Sequence, residues 1–470
     1  MPSQSRRRSW PLWRRRSAST RGLVADETGR AEIVHAVRHD QHFPQADRVE
    51  HDPHELLANL RAVIEATGPV DAIALSNQGE SCLAWDAVTG EPLSPVIVWQ
   101  DRRTEARLVG MAGQAEIVRA RTGLPLDPYF SAAKLGWLCD NDPRVQQAHR
   151  AGRLRLGTTD AFFLQHLAGE ARTDVTTASR TSLMSLETGQ WDPELCKLFG
   201  VPIECLPEIR PTVSDFGCIG GVPVTAAVVD QQAALYGHGC RAPGDAKITF
   251  GTGAFALAVT GETRPPEDHG GLLPTVAWQI GESTTFAVDG GVHAAGAAVE
   301  WAMRIGLLDG PEALGAFEAP AVIDRGLAFV PALAGLAAPH WDGSAAGLFI
   351  GMTGATTRED MAQALIEGVA LRAAEVIARM GPVARLSMDG GLTRSAYLCQ
   401  FLADVTGAEI VLPGTEELTS LGAAQLAALG LGGTLPSPPP RAVVSPCPCD
   451  RAARMARFSD AVSRARDWRR

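Results

Sequence analysis

Val222–Phe255 reads VPVTAAVVDQQAALYGHGCRAPGDAKITFGTGAF. An apolar run ends on Asp230, a short helix-like segment follows, and a second apolar run ends on Gly251-Thr252-Gly253. One strand that delivers a carboxylate, followed by another that delivers a glycine turn, is a common way to build a phosphate-handling cleft. Each feature also has a plainer reading. Asp before QQAALYG is a favoured helix N-cap, and a GTG triplet after a strand is an ordinary tight turn. As a working base, Asp230 would accept a proton from a hydroxyl. Thr252 and the neighbouring backbone N–H groups would donate to phosphate oxygens. Asp389-Gly390-Gly391 repeats the strand-then-glycine pattern, so two such turns face one problem. The Walker pattern GxxxxGK[ST] is absent, which excludes a P-loop enzyme.

Outward from this stretch, 470 residues exceed what one hydrophobic core serves, so two domains are expected. Apolar content of 45% and charged content of 20% describe an ordinary globular chain. A net charge of -10 argues against nucleic acid as a partner. No apolar run reaches the ~20 residues of a membrane span. The nine scattered cysteines fit reduced thiols and a cytoplasmic setting better than a disulfide framework or a zinc site.

Taken in order, residues 1–20 are an atypical Arg-rich N-terminus, with six arginines and no acid up to Arg16. Gly22–Ala25 and Ala31–Val37 flank a turn and read as a hairpin. Leu56, Leu57, Leu60, Val63 and Ile64 fall on one helical face. Ala72–Leu75, Cys82–Trp85 and Pro95–Trp99 read as strands. Thr104–Gly200 reads as mostly helical, broken by polar loops such as Thr173–Arg180. The second half repeats the style, with strands at Lys247–Phe250, Val276–Ile280, Thr285–Val288, Leu327–Val330 and Arg385–Met388. Its helices are expected at Gly291–Ile305, from Thr357 to about Met380, and at Ser395–Val405. The expected division is 21–238 and 239–434 for two domains, then 435–470 for a Pro-rich linker and a basic helix over Ala452–Val462. The class is α/β.

A set of spaced motifs resembles the FGGY carbohydrate kinases, on the glycerol kinase-like branch. It comprises Ser76-Asn77-Gln78-Gly79-Glu80, Ile97–Thr104, Asp127-Pro128-Tyr129-Phe130-Ser131, Thr177–Thr181, Asp230–Leu235, Thr249–Gly253, Phe329–Asp342, Asp389-Gly390-Gly391 and Leu421–Ala424. The resemblance implies two actin-like (ribonuclease H-like) ATPase domains with ATP and substrate in the cleft between them. It implies Asp230 as catalytic base and Glu80, Trp99, Tyr129, Asp230, Gln231 and Phe255 around a polyol. Thr252, Gly253, Gly296, Glu300, Gly391 and Ser395 would lie on the nucleotide. The implied reaction is in-line transfer of the ATP γ-phosphoryl group to a primary hydroxyl of a small polyol or sugar, helped by Mg2+, whose protein ligands stay unassigned. ATP/ADP and the acceptor are the implied partners, without nucleic acid or membrane, and a homo-oligomer is compatible with the sequence.

Three departures qualify the resemblance. Gly79 stands where glycerol kinases carry an arginine, which is expected to open room for a larger acceptor. Glu300 and Ser395 stand where Gln and Asn are usual. Arg14–Ala18 falls where the family has an Asp-x-Gly-Thr phosphate loop, through either a coding-frame shift or a true loss. These keep two alternatives in view: a pentulose (xylulose-type) kinase, and a catalytically impaired actin-like regulatory protein that binds nucleotide or metabolite.

Overall fold

In the computed structural model, residues 19–266, 269–315, 317 and 320–469 are described. The Arg14–Ala18 segment lies outside them. The first lobe opens on a hairpin, Ser19–Ala25 against Ala31–Arg38. Asp26 closes its turn by accepting from the N–H groups of Thr28 and Arg30, and Gly29 takes φ +84. Helix Pro53–Thr67 follows, capped by Asp52 onto His54 N–H and ended at Gly68. Its apolar stripe, Leu56, Leu57 and Leu60, packs with Trp85 and Phe162.

The strand Ile73–Asn77 then pairs in parallel with Val222–Val229, which places Asn77 opposite Val229. Both chains therefore leave the sheet at the same end, and their exits carry Gln78–Glu80 and Asp230.

The second lobe is built on a seven-stranded sheet. At its centre Asp245–Phe250 runs antiparallel to Ala254–Gly261 and parallel to Arg385–Gly390. The parallel register sets Thr249 beside Asp389 and Phe250 beside Gly390. Two glycine turns thus emerge together at the carboxyl end of neighbouring strands, where ligands of α/β sheets collect. The helix Arg358–Arg379 covers the sheet. Thr357 and Asp360 form a reciprocal capping box at its start.

Several expectations need correction. The span 104–200 holds helices, but also the strand Leu154–Thr158, antiparallel to Cys82–Asp86. In LRLGT the apolar residues alternate, a period of two hidden inside a helix-rich stretch. In place of the expected polar loop, Thr173–Arg180 holds the short helix Val175–Ala178. It is buried, and Asp174 satisfies it by accepting from the N–H groups of Thr176 and Thr177 and from the Thr212 hydroxyl. Residues beyond 434 add a strand to the expected linker and helix, and the helix packs through Met455, Phe458 and Val462 as its sequence implies. Ala442–Val444 completes the seven-stranded sheet, and the helix, which runs Arg451–Ala465, buries Phe458, Ala461 and Val462 in its core. Finally, helix Leu418–Gly430 leaves the second lobe and packs on the first. There Gly422 and Gly237 let its backbone touch helix Asp230–Gly237: a Cβ on Gly422 would lie 1.9 Å from Ala233 O.

Candidate active site

The strand exits of both lobes open onto one cleft of about 2080 Å³. Asp230 sits at its floor. It is the first residue of its helix rather than the cap, since Val229 occupies the N-cap position. Among the described residues its carboxylate accepts one hydrogen bond, from the Gln231 N–H onto Oδ1 at 2.8 Å. Burial, reinforced by the charge of Glu80, pushes its carboxyl up to about 7 against the opposing pull of the Gln231 N–H, Lys247 and Arg180. A carboxyl half-ionised at neutral pH is matched to general-base work.

The expected acceptor wall is brought together. Glu80, Trp99, Tyr129, Gln231 and Phe255 all line the cleft with Asp230. Trp99 and Tyr129 meet edge to face, with ring centroids 5.4 Å apart. Glu80 accepts from Arg180 Nε at 2.8 Å, and Lys134 Nζ anchors the Tyr129 carbonyl at 2.6 Å. The space beside Gly79 is not open, contrary to expectation. A Cβ there would lie 2.5 Å from Val229 Cγ2, and the Arg180 stem stands 3.4 Å away.

On the opposite wall, Thr252 and Gly253 sit where the turn after Asp245–Phe250 meets the start of helix Gly296–Arg304. The Gly296 N–H donates to Gly251 O at 3.0 Å and the Ala297 N–H to Thr252 O at 2.9 Å, which holds the turn against the helix. Side chains are excluded from this cradle: a Cβ on Gly253 would meet Val292 O at 2.6 Å, and one on Gly296 would meet Gly251 O at 2.5 Å. Gly390 is held at φ +94, which only glycine adopts easily. This bare backbone fits polyphosphate oxygens. Glu300 and Gly391 also line the cleft.

Ser395 does not. Its hydroxyl is spent as a helix cap, accepting from Leu398 N–H at 3.0 Å and donating to Leu314 O. Ser is an N-cap former first, and here that role takes the side chain away from the cleft.

Four polar side chains in this region, Asp389, His238, Lys247 and Asp289, have no site role in the sequence reading, although Asp389 stands in a quoted glycine turn. Asp389 lies 3.6 Å from His238, whose other ring nitrogen is 2.6 Å from Ser387 Oγ. Burial would raise the Asp389 carboxyl, but His238, Thr249 and Lys247 together hold it below its usual range. Its Oδ1 is buried without a hydrogen bond among the described residues. Lys247, fully buried, donates to Gln231 Oε1 at 2.6 Å. Asp289 pairs with Arg180. The signal that could have found Asp389 was its place at a strand end; Lys247 and Asp289 sit inside strands that otherwise read as plain sheet.

Residues 17–237 match the model of the FGGY family of carbohydrate kinases, N-terminal domain, and residues 246–431 match its C-terminal domain. A glycerol kinase of Alkalilimnicola ehrlichii is 42% identical, with 97% of each chain covered. A glycerol kinase of Haloferax volcanii is 38% identical at the same coverage. Among solved structures, Plasmodium falciparum glycerol kinase with ADP superposes at a TM-score of 0.87 and 31% identity, covering 95% of this chain and 96% of that one. A xylulose kinase from Lactobacillus acidophilus superposes at 0.82 with 21% identity, covering 94% of each chain, a likeness of fold alone.

Proposed function

The chain belongs to the FGGY family of carbohydrate kinases, with the family's two actin-like (ribonuclease H-like) domains, and from that premise we propose that it phosphorylates a primary hydroxyl of glycerol with ATP and Mg2+. The observation that carries this reading is the position of Asp230. It lies at the floor of the cleft, between an aromatic and carboxylate wall suited to a polyol and a bare glycine wall suited to phosphates.

In this reading Glu80 and Gln231 accept and donate hydrogen bonds to the acceptor hydroxyls, while Trp99, Tyr129 and Phe255 cover its carbon face. Asp230 takes the hydroxyl proton as the oxygen attacks. The Gly251–Gly253 turn, held by the start of the Gly296–Arg304 helix, offers the Thr252 and Gly253 N–H groups and the Thr252 hydroxyl to the phosphates, with Gly391 and Glu300 farther along the nucleotide. Asp389, whose Oδ1 faces His238 at 3.6 Å without a hydrogen bond among the described residues, is the carboxylate that would hold Mg2+. The metal would screen the charge of the transferring phosphoryl group. Catalysis on this plan is mainly positioning and charge stabilisation, the common pattern of phosphoryl transfer. The second-lobe boundary near residue 239 and the cytoplasmic setting belong to the same reading.

A panel of acceptors decides the substrate. ADP formation is measured over glycerol, erythritol, ribitol, xylulose and ribulose, and glycerol is expected to give the highest kcat/KM. A ketopentose turned over better than glycerol would replace the reading with a pentulose kinase.

A further inference from the structure

Arg180 is a buried cation that the scheme above leaves without a task. It follows the short buried helix Val175–Ala178, and its side chain is 6% exposed. Nε donates to Glu80 Oε1 at 2.8 Å, and Nη2 lies 3.1 Å from Asp289 Oδ2. The guanidinium carbon stands 5.5 Å from the Phe130 ring centre. Two carboxylates from different lobes therefore meet on one rigid fork, a geometry that lysine cannot reproduce.

Two further observations point to a ligand. Nη1 is buried and has no hydrogen-bond partner among the described residues, although arginine carries five N–H donors to satisfy. Gly79 supplies no cation to this wall, and the Arg180 stem and Val229 crowd the space beside it.

We propose that Arg180 is the positioning residue of the acceptor pocket, holding Glu80 and Asp289 in place and keeping Nη1 as a donor for a hydroxyl of a neutral polyol. The identity of that ligand rests on the kinase reading; the role of Arg180 does not. Because Glu80 comes from the first lobe and Asp289 from the second, the same fork ties acceptor affinity to the relative placement of the lobes.

The test is calorimetric titration of the full chain with glycerol in the absence of nucleotide, alongside ADP titration and steady-state kinetics. Arg180→Gln and Arg180→Lys are compared with the unaltered protein. Lysine keeps charge and bulk, so it guards against a simple folding failure. Glycerol Kd and KM are expected to rise about 10–100-fold in both variants, the effect of losing a charge-assisted bond. The kcat is expected to fall far less, with ADP affinity unchanged. Methylguanidinium is expected to restore glycerol affinity to Arg180→Ala. Glycerol affinity unchanged in Arg180→Gln overturns the proposal, as does a parallel loss of glycerol and ADP binding, or no glycerol binding by the unaltered protein. Arg180-dependent glycerol binding without ADP formation would uphold this role and sink the kinase reading.

Discussion

Asp230 shows how a residue's role depends on what surrounds it. In the sequence, its place before QQAALYG suited a cap; in the structure it starts the helix and leaves one carboxylate oxygen for the cleft. Its carboxyl, raised to about 7, is protonated at pH 5 and cannot act as a base there. Glycerol kcat/KM is therefore expected to rise with pH through about 7, and a profile flat between pH 5 and 9 would remove Asp230 from the role. Glu80, Trp99 and Tyr129 were legible because spaced motifs carried them. Arg180 was quoted within such a motif, yet nothing in the sequence revealed that its guanidinium spans Glu80 and Asp289, residues 100 and more positions away. Ser395 failed for a physical reason: a serine before a helix satisfies local N–H groups before it reaches for a ligand.

At the scale of elements, strands and long helices were legible where apolar period and capping agreed. Thr357 and Asp360 announced the helix Arg358–Arg379 to within a residue or two. Asp360, bonded to Thr357 and paired with Arg325, is depressed to about 2. Its contribution is therefore complete above its unfolded value of 3.8 and is lost as pH falls through about 2. Acid unfolding of Asp360→Asn is expected to lose that part of its pH dependence, with lower stability at neutral pH. Short strands such as Leu154–Thr158 were not legible, because five residues carry too little period to compete with helical neighbours.

Close helix contacts were equally hidden. Gly→Ala inside a helix ordinarily stabilises by about 1 kcal/mol. A Cβ on Gly422 would sit 1.9 Å from Ala233 O, and one on Gly368 2.1 Å from Phe329 O, both backbone atoms unable to step aside. Overpacking of about 1–3 kcal/mol wins. Gly422→Ala and Gly368→Ala are expected to lower Tm, whereas Gly110→Ala, with nothing within 4 Å, is expected to raise it slightly. Equal Tm for all three would contradict the packing described here.

The whole molecule joins its halves more tightly than a linear division suggests. Helix Leu418–Gly430 lies on the first lobe, and the Arg451–Ala465 helix is part of the second lobe's core. Burial of Phe458 alone is worth about 1.5–3 kcal/mol. Deletion of residues 435–470 is therefore expected to cost soluble yield and Tm; a truncated chain that melts like the full one would show the tail to be dispensable. Such crossings are long-range contacts that no local pattern reports, whereas the α/β class followed from alternating strand and helix patterns. The central claim is that Asp230, set between a polyol wall and a glycine cradle, makes this chain a glycerol-phosphorylating enzyme. Its most direct test is ATP- and glycerol-dependent ADP formation at pH 8 by the full chain and by Asp230→Asn. The expected result is turnover by the former and a loss of about 10²–10⁴-fold in kcat for the latter, with ADP binding retained. No glycerol-dependent ADP from the unaltered chain, or full activity in Asp230→Asn, would contradict it.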